Sequence, residues 1–125
     1  MAPPSPLAIA TSAVKRLVKE EAFHHKEIQN QKKRIEALEK EAAAGGPEEE
    51  GMEGNREYTL NQERQVLQET EKVLPGVKAK ISEALETLKH LITEEGEKGL
   101  ESNVSQITAA KEAVAQAMTA TREIS

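Results

Sequence analysis

Leu60, Leu67, Leu74, Ile81 and Leu88 recur every seven residues, and Thr70, Val77, Ala84 and Leu91 follow three residues behind the last four. An apolar 3-4 alternation held over this length is the seam of a helix that packs against other helices. Pro75 interrupts it, with Gly76 behind. An interior proline deprives the Glu71 carbonyl of its hydrogen bond and crowds it, at a cost on the order of 3 kcal/mol. The heptad phase is the same on both sides, and two independent helices would have little reason to keep phase. The pattern therefore predicts one long helix, kinked at Pro75.

A second seam lies upstream: Leu7, Val14, Glu21, Ile28, Ile35 and Ala42, with Ala10, Leu17, His24, Gln31 and Leu38 interleaved. Ser5-Pro6 reads as an N-cap followed by proline at the first helical position, and Thr11 or Ser12 offers a later cap. The middle of this seam is polar at Glu21, His24 and Gln31. Such residues either leave it partly wet, snorkelling outward, or fix register at some cost in stability. Phe23 falls off the seam, to pack on a third helix or lie along the surface. Gly45, Gly46 and Pro47 stop the helix. Residues 45–54 hold four glutamates and four glycines, an acidic flexible loop without an alternating run.

The long helix starts near Asn55 or at Thr59, where Thr59-Leu-Asn-Gln62 has the form of a capping box. The turn at Glu94–Gly99 is short enough to force an antiparallel neighbour. A third helix shows Leu100, Val104, Ile107, Lys111, Val114 and Met118 stepping by four and three; Ala109, Ala110, Ala113, Ala115 and Ala117 should let it approach closely, and it should fray after Thr121. The expected fold is all-α: an elongated, antiparallel, left-handed, coiled-coil-like three-helix bundle. It forms one domain over 1–125, with helices at about 6–44, 55–94 and 99–123. At 1.5 Å per residue its body spans roughly 50 Å or more.

Composition narrows the function. Charged residues make up 31% of the chain and aromatics 2%, and cysteine is absent, so disulfides and thiolate metal sites are excluded. No apolar run approaches the roughly 20 residues that span a bilayer, and a secretory signal at the N-terminus is not expected. Net charge is −5, and only the first helix is basic, with eight Lys and Arg against six Glu over 8–44. Without a continuous cationic surface or stacking aromatics, nucleic acid is not an expected partner. His24 and His25 point about 100° apart on a helix and cannot share a metal. Glu86 and His90 read as a surface pair. No phosphate loop and no nucleophile with its base appear, so no catalytic, cofactor or metal site is expected.

What remains is surface. Lys15, Arg16, Lys19 and Lys26, then Lys32, Lys33 and Arg34, form the one basic strip. It is either a solvated face with partners such as Arg16–Glu20 and Lys32–Glu36, or a docking strip for an acidic protein.

Two segments resemble a known family. Val14-Lys-Arg-Leu-Val-Lys-Glu20, continuing to Lys26-Glu27 and Ile35-Glu36, resembles the first helix of the tubulin-specific chaperone A (tubulin-folding cofactor A) family. Gln65-Val-Leu-Gln-Glu-Thr70, Val73-Leu-Pro75 and Ile81 to Leu88 resemble its second helix, including the proline. The resemblance covers about residues 9–92. It implies a cytoplasmic, cytoskeleton-associated protein that captures quasi-native β-tubulin after its release from the chaperonin. That monomer then passes toward α/β heterodimer assembly, without nucleotide and with other tubulin-folding cofactors as further partners. On this reading Lys15, Arg16 and Lys19 face acidic tubulin surface, Gln68 and Glu69 make polar contacts beside the kink, and Pro75 sets the curvature. A monomer is expected, with a dimer left open. The alternative is a structural coiled-coil module or scaffold that homo-oligomerises or docks a helical partner.

Overall fold

The computed structural model describes residues 4–44 and 52–124. It is all-α, running α1 (Pro6–Ala44), α2 (Met52–Gly96), a 3-10 turn (Gly99–Glu101) and α3 (Val104–Ile124), with no strand among the described residues. The expected left-handed glycine stop at Gly45 and most of the acidic loop, residues 45–51, lie outside the described residues. Residues 52–54 belong to α2. Internal contacts divide the chain into two compact units, Met1–Ala22 with Pro75–Ser125, and Phe23–Leu74.

The first unit holds three helices. Ser5 caps α1: its Oγ accepts the Ala8 N–H at 3.1 Å and its carbonyl accepts the Ile9 N–H at 2.9 Å. Thr11 and Ser12 are interior instead, and the buried Thr11 hydroxyl donates to the Leu7 carbonyl at 2.8 Å. Once Ser5 supplies the cap, the following amides find carbonyls four residues back, and a second cap has no free donors to satisfy. The Ser5 hydroxyl also donates to Gln106 Oε1 at 2.8 Å, setting the start of α1 beside the start of α3. These two helices therefore run parallel, with α2 antiparallel between them in chain order.

Val14, Ile81 and Leu88 are fully buried at the centre of this unit, with Leu7, Val77 and Leu85 around them. Burial of each such side chain is worth about 1.5–3 kcal/mol. Of the face expected of α3, part of the row of large residues turns outward, while three of the alanines expected to allow close approach carry the packing. Leu100 is 106% exposed, Val104 69% and Met118 39%, whereas Ala110, Ala113 and Ala117 are completely buried. Ile107 and Val114 only flank the cluster. The stripe of small residues lets the α3 backbone come close to the other two helices, where a row of larger side chains would hold it away. The α-helix itself starts at Val104, after the 3-10 turn, and continues past Thr121 to Ile124.

The turn before α3 is tied to the end of α2. The Glu95 carboxylate accepts the Asn103 N–H at 3.0 Å and Lys98 Nζ at 3.1 Å. Asn103 in turn caps α3, its Oδ1 accepting the Gln106 N–H at 3.0 Å. Gly99 takes φ +65°, where a side chain would be strained. The hydrogen bonds from Asn103 and Lys98 hold the Glu95 carboxyl below its ordinary value of 4.5.

The second unit is a hairpin of two helices, Phe23–Ala44 from α1 and Met52–Leu74 from α2. Thr59 lies inside α2 and caps nothing, because the helix begins earlier and its carbonyls already serve the amides of the capping-box residues. The register is visible in the side-chain contacts. Gln31 Nε2 donates to Thr70 Oγ1 at 3.1 Å, Arg34 pairs with Glu63 at 3.3 Å, and Arg64 pairs with Glu39 at 3.1 Å. Arg56 reaches the Glu41 carbonyl at 3.4 Å. From Gln31–Thr70 to Glu41–Arg56 the partner numbers on α2 fall overall as those on α1 rise, so the pair is antiparallel. Ile28, Ile35 and Leu74 are buried here, and so is Gln31 at 7% exposure. Glu21, in the other unit, is 2% exposed. Neither of these two polar seam residues snorkels outward. Phe23 is 59% exposed, with its ring edge-on to His24 at 5.8 Å. Ala42, expected on the seam, is exposed.

The helix runs through Pro75 without a break, and the proline lies on the exposed side. Glu71, whose carbonyl loses its donor, is also exposed, so water can replace the missing bond at low cost.

Two outcomes follow from this packing. Ala117→Leu should destabilise the fold by about 1–3 kcal/mol in urea denaturation, because a buried alanine has no room to grow. Val104→Ser should change it by less than about 0.5 kcal/mol. The second outcome concerns acid. The Glu95 carboxyl is depressed in the folded chain, so the unfolded chain takes up its proton first as pH falls. The contribution of this latch is complete above its ordinary value of 4.5 and is lost as pH drops through the lowered folded value. Glu95→Gln should therefore lower Tm at neutral pH, and its gap from wild type should close as pH falls from 4.5 through the lowered folded value. A gap that stays constant across that range would show that the carboxylate is not what holds the turn.

Candidate protein-binding surface

Val14 is buried and Leu17 and Val18 are half-buried, which fixes the rotation of α1 about its axis and turns Lys15, Arg16 and Lys19 to solvent. On a helix, positions 15 and 19 are four apart and 16 and 19 three apart, so the three cations share one exposed face. All three belong to the three-helix unit. Among the described residues none of them forms an ion pair or side-chain hydrogen bond. The bridge expected between Arg16 and Glu20 is not made, nor is that between Lys32 and Glu36. Glu36 pairs with Lys40 at 3.1 Å, and His90 pairs with Glu94 at 2.9 Å rather than with Glu86. In both cases the spacing is still four residues. The acid has taken the partner on its other side or yielded it to the next turn, since an exposed helix offers several such choices of nearly equal energy.

Other cations are engaged. Arg34 and Arg64 join the two helices of the hairpin and Lys98 closes the turn. The Lys15–Lys19 face is thus a local excess of positive charge whose side chains give up no protein partner when another surface approaches.

Gln68 and Glu69 are exposed on α2 within the hairpin unit, and Pro75 is exposed within the three-helix unit. Gln68 and Glu69 are consecutive, so they diverge by about 100° around the helix and cannot face one small target together. Glu69 lies three residues after Val66 and four before Val73, the spacing of one helix face, and makes no ion pair among the described residues. Val66 and Val73 are 42% and 44% exposed. The heptad pattern passes over both valines because they lie beside the seam and not on it. A shallow recess of about 220 Å³ lies in the hairpin unit, lined by Leu38, Asn55, Arg56 and Thr59.

Among the described residues no group of three or more His, Cys, Asp or Glu is placed to hold a metal ion, and no helix is long and apolar enough to cross a membrane. What the arrangement offers chemically is recognition: an unpaired cationic face on α1, and a half-covered apolar stripe with a free carboxylate on α2.

Comparison with known proteins gives this surface a context. Residues 2–114 match the family model described as tubulin binding cofactor A. The chain is 32% identical over 110 residues to tubulin-specific chaperone A of Saccharomyces cerevisiae, covering 87% of this chain and 93% of that protein. It is 28% identical over 95 residues to the proteins of the same name from Rattus norvegicus and Oryctolagus cuniculus, covering 76% of this chain and 75% of each relative. No solved structure matches the chain.

Proposed function

This chain belongs to the tubulin binding cofactor A family, and from that premise we propose that it is a tubulin-specific chaperone that captures a quasi-native β-tubulin monomer. It stabilises that monomer after release from the chaperonin and passes it on toward α/β heterodimer assembly, in the cytoplasm and in company with other tubulin-folding cofactors. The observation that carries the proposal is the Lys15, Arg16 and Lys19 face. Three exposed cations without protein partners lie over little more than one turn of a helix whose opposite side is anchored by Val14. Such a face steers an acidic surface toward it and sets orientation, and it loses no internal salt bridge on docking. Binding needs no nucleotide on this reading, because contact alone stabilises the bound form of the client. Gln68 and Glu69 add polar contacts, and Pro75 sets the curvature of α2.

The test is co-migration of the purified chain with β-tubulin and, separately, with α-tubulin, in the absence of nucleotide. A complex with β-tubulin that α-tubulin does not form is the expected result. Replacing Lys15, Arg16 and Lys19 together by glutamate should weaken capture by roughly tenfold or more, and more at low salt than at high salt, with helicity unchanged. Capture unaffected by the triple replacement removes this face from the contact. The structural alternative, a coiled-coil module that homo-oligomerises, predicts a mass that rises with concentration in sedimentation, together with no tubulin complex.

A further inference from the structure

The seam of α2 keeps one register from Leu60 to Leu88, yet it is not equally covered along its length. Ile81 and Leu88, in the three-helix unit, are completely buried. Leu60 and Leu67, at the same heptad position in the hairpin unit, are only half-buried, and so is Leu38 on α1. The cause lies in the helix lengths. α3 has 21 residues against 39 for α1 and 45 for α2, and it belongs to the three-helix unit. Among the described residues the hairpin has two helices to cover a stripe of the kind that three helices cover in the other unit.

Beside this half-covered seam, Thr59, Val66 and Val73 recur every seven residues along one flank of α2. Val66 and Val73 are 42% and 44% exposed, and Thr59 lines the recess that it shares with Leu38. The exposed Glu69 carboxylate lies between the two valines in helical spacing and is unpaired among the described residues. From Thr59 to Val73 the stripe is about 20 Å long, enough for some four turns of a docked helix.

We infer that this stripe seats a third helix supplied by the client. An amphipathic α-helix of the captured tubulin subunit lies along α2, with its apolar face on Val66, Val73, Leu60 and Leu67 and a lysine or arginine opposite Glu69. The inference rests on the tubulin reading above and adds to it a second contact, apolar where the first is cationic. Two features select this occupant. The stripe continues, in register, a seam that the molecule elsewhere covers with a helix, so helix-on-helix packing fits it. The single unpaired charge on it is acidic. A symmetric contact between two copies of the stripe would bring two Glu69 carboxylates into one interface, which disfavours a second copy.

The experiment uses the full chain and purified β-tubulin. In V66Q/V73Q both valines are replaced by a good helix former at exposed positions, so helicity and Tm should stay at wild-type values. Affinity for β-tubulin should fall about tenfold or more, and Glu69→Lys should also weaken binding. Binding by V66Q/V73Q as tight as that of the wild type overturns the inference. So does a wild-type mass that doubles with concentration and returns to the monomer value in V66Q/V73Q, since the stripe then belongs to a second copy. If the wild-type chain forms no complex with β-tubulin, the tubulin reading itself fails and takes this inference with it. A loss confined to the variant bears on the stripe alone.

Discussion

The apolar seam of α2 must be covered, since each Leu or Ile left in water forgoes about 1.5–3 kcal/mol. In the three-helix unit that requirement is met from two sides: α1 brings Leu7 and Val14, and α3 brings Ala110, Ala113 and Ala117. The alanines contribute little apolar area of their own. Their effect is to permit close approach, so that Ile81 and Leu88 are sealed by backbone and by neighbouring large side chains together. With two aromatic residues in the chain, Phe23 and Tyr58, both largely exposed, this thin aliphatic seam has to carry the core.

Hydrophobic contact is tolerant of sliding, and polar groups supply the registration it lacks. Gln31 bonds Thr70 across the hairpin at 3.1 Å, and a slip of one residue would separate them. The cost is visible in the same side chain, whose Oε1 is buried without a partner among the described residues. An amide in that state lowers stability by roughly 1–3 kcal/mol but allows few alternative pairings. At the helix ends the same logic is local. Ser5 caps α1 while reaching Gln106, and Glu95 holds the amide of Asn103, which caps α3. Each of these groups satisfies backbone donors and fixes a neighbour with one side chain.

On the proposed reading, function on such a scaffold falls to the outside of the helices. Charges that tie the hairpin together, Arg34 with Glu63 and Arg64 with Glu39, are committed to the fold. Lys15, Arg16, Lys19 and Glu69 are not, so they can be desolvated against another protein without breaking an internal bond. Half-exposed Val66 and Val73 supply apolar area in the same sense, on a different part of the chain. A chaperone that acts by temporary contact needs both kinds of surface: charge for encounter and orientation, apolar area for dwell time.

The residues of α1 and α2 announced themselves because a seven-residue repeat is a backbone property. Any helix with Leu or Ile every seventh position must turn that stripe inward, whatever its neighbours are, and so the long helices, the continuity through Pro75 and the outward face of Lys15, Arg16 and Lys19 could be read from spacing alone. The Ser5-Pro6 cap and the family resemblance were equally local. Other features depended on partners that spacing does not name. In α3 the alanines that allow close approach were legible, but the spacing of the large residues also suggested a seam through Val104 and Met118; both are exposed, because inter-helix distance and not side-chain size decides which face fits. Thr59 has the form of a cap, yet the chain before it was already helical. The choice of Lys40 over Lys32 for Glu36, the burial of Gln31 and the half-covered stripe at Val66 and Val73 were likewise settled by what lies opposite in three dimensions. A sequence specifies which side of a helix avoids water, and only the assembled molecule determines how much of that side finds cover.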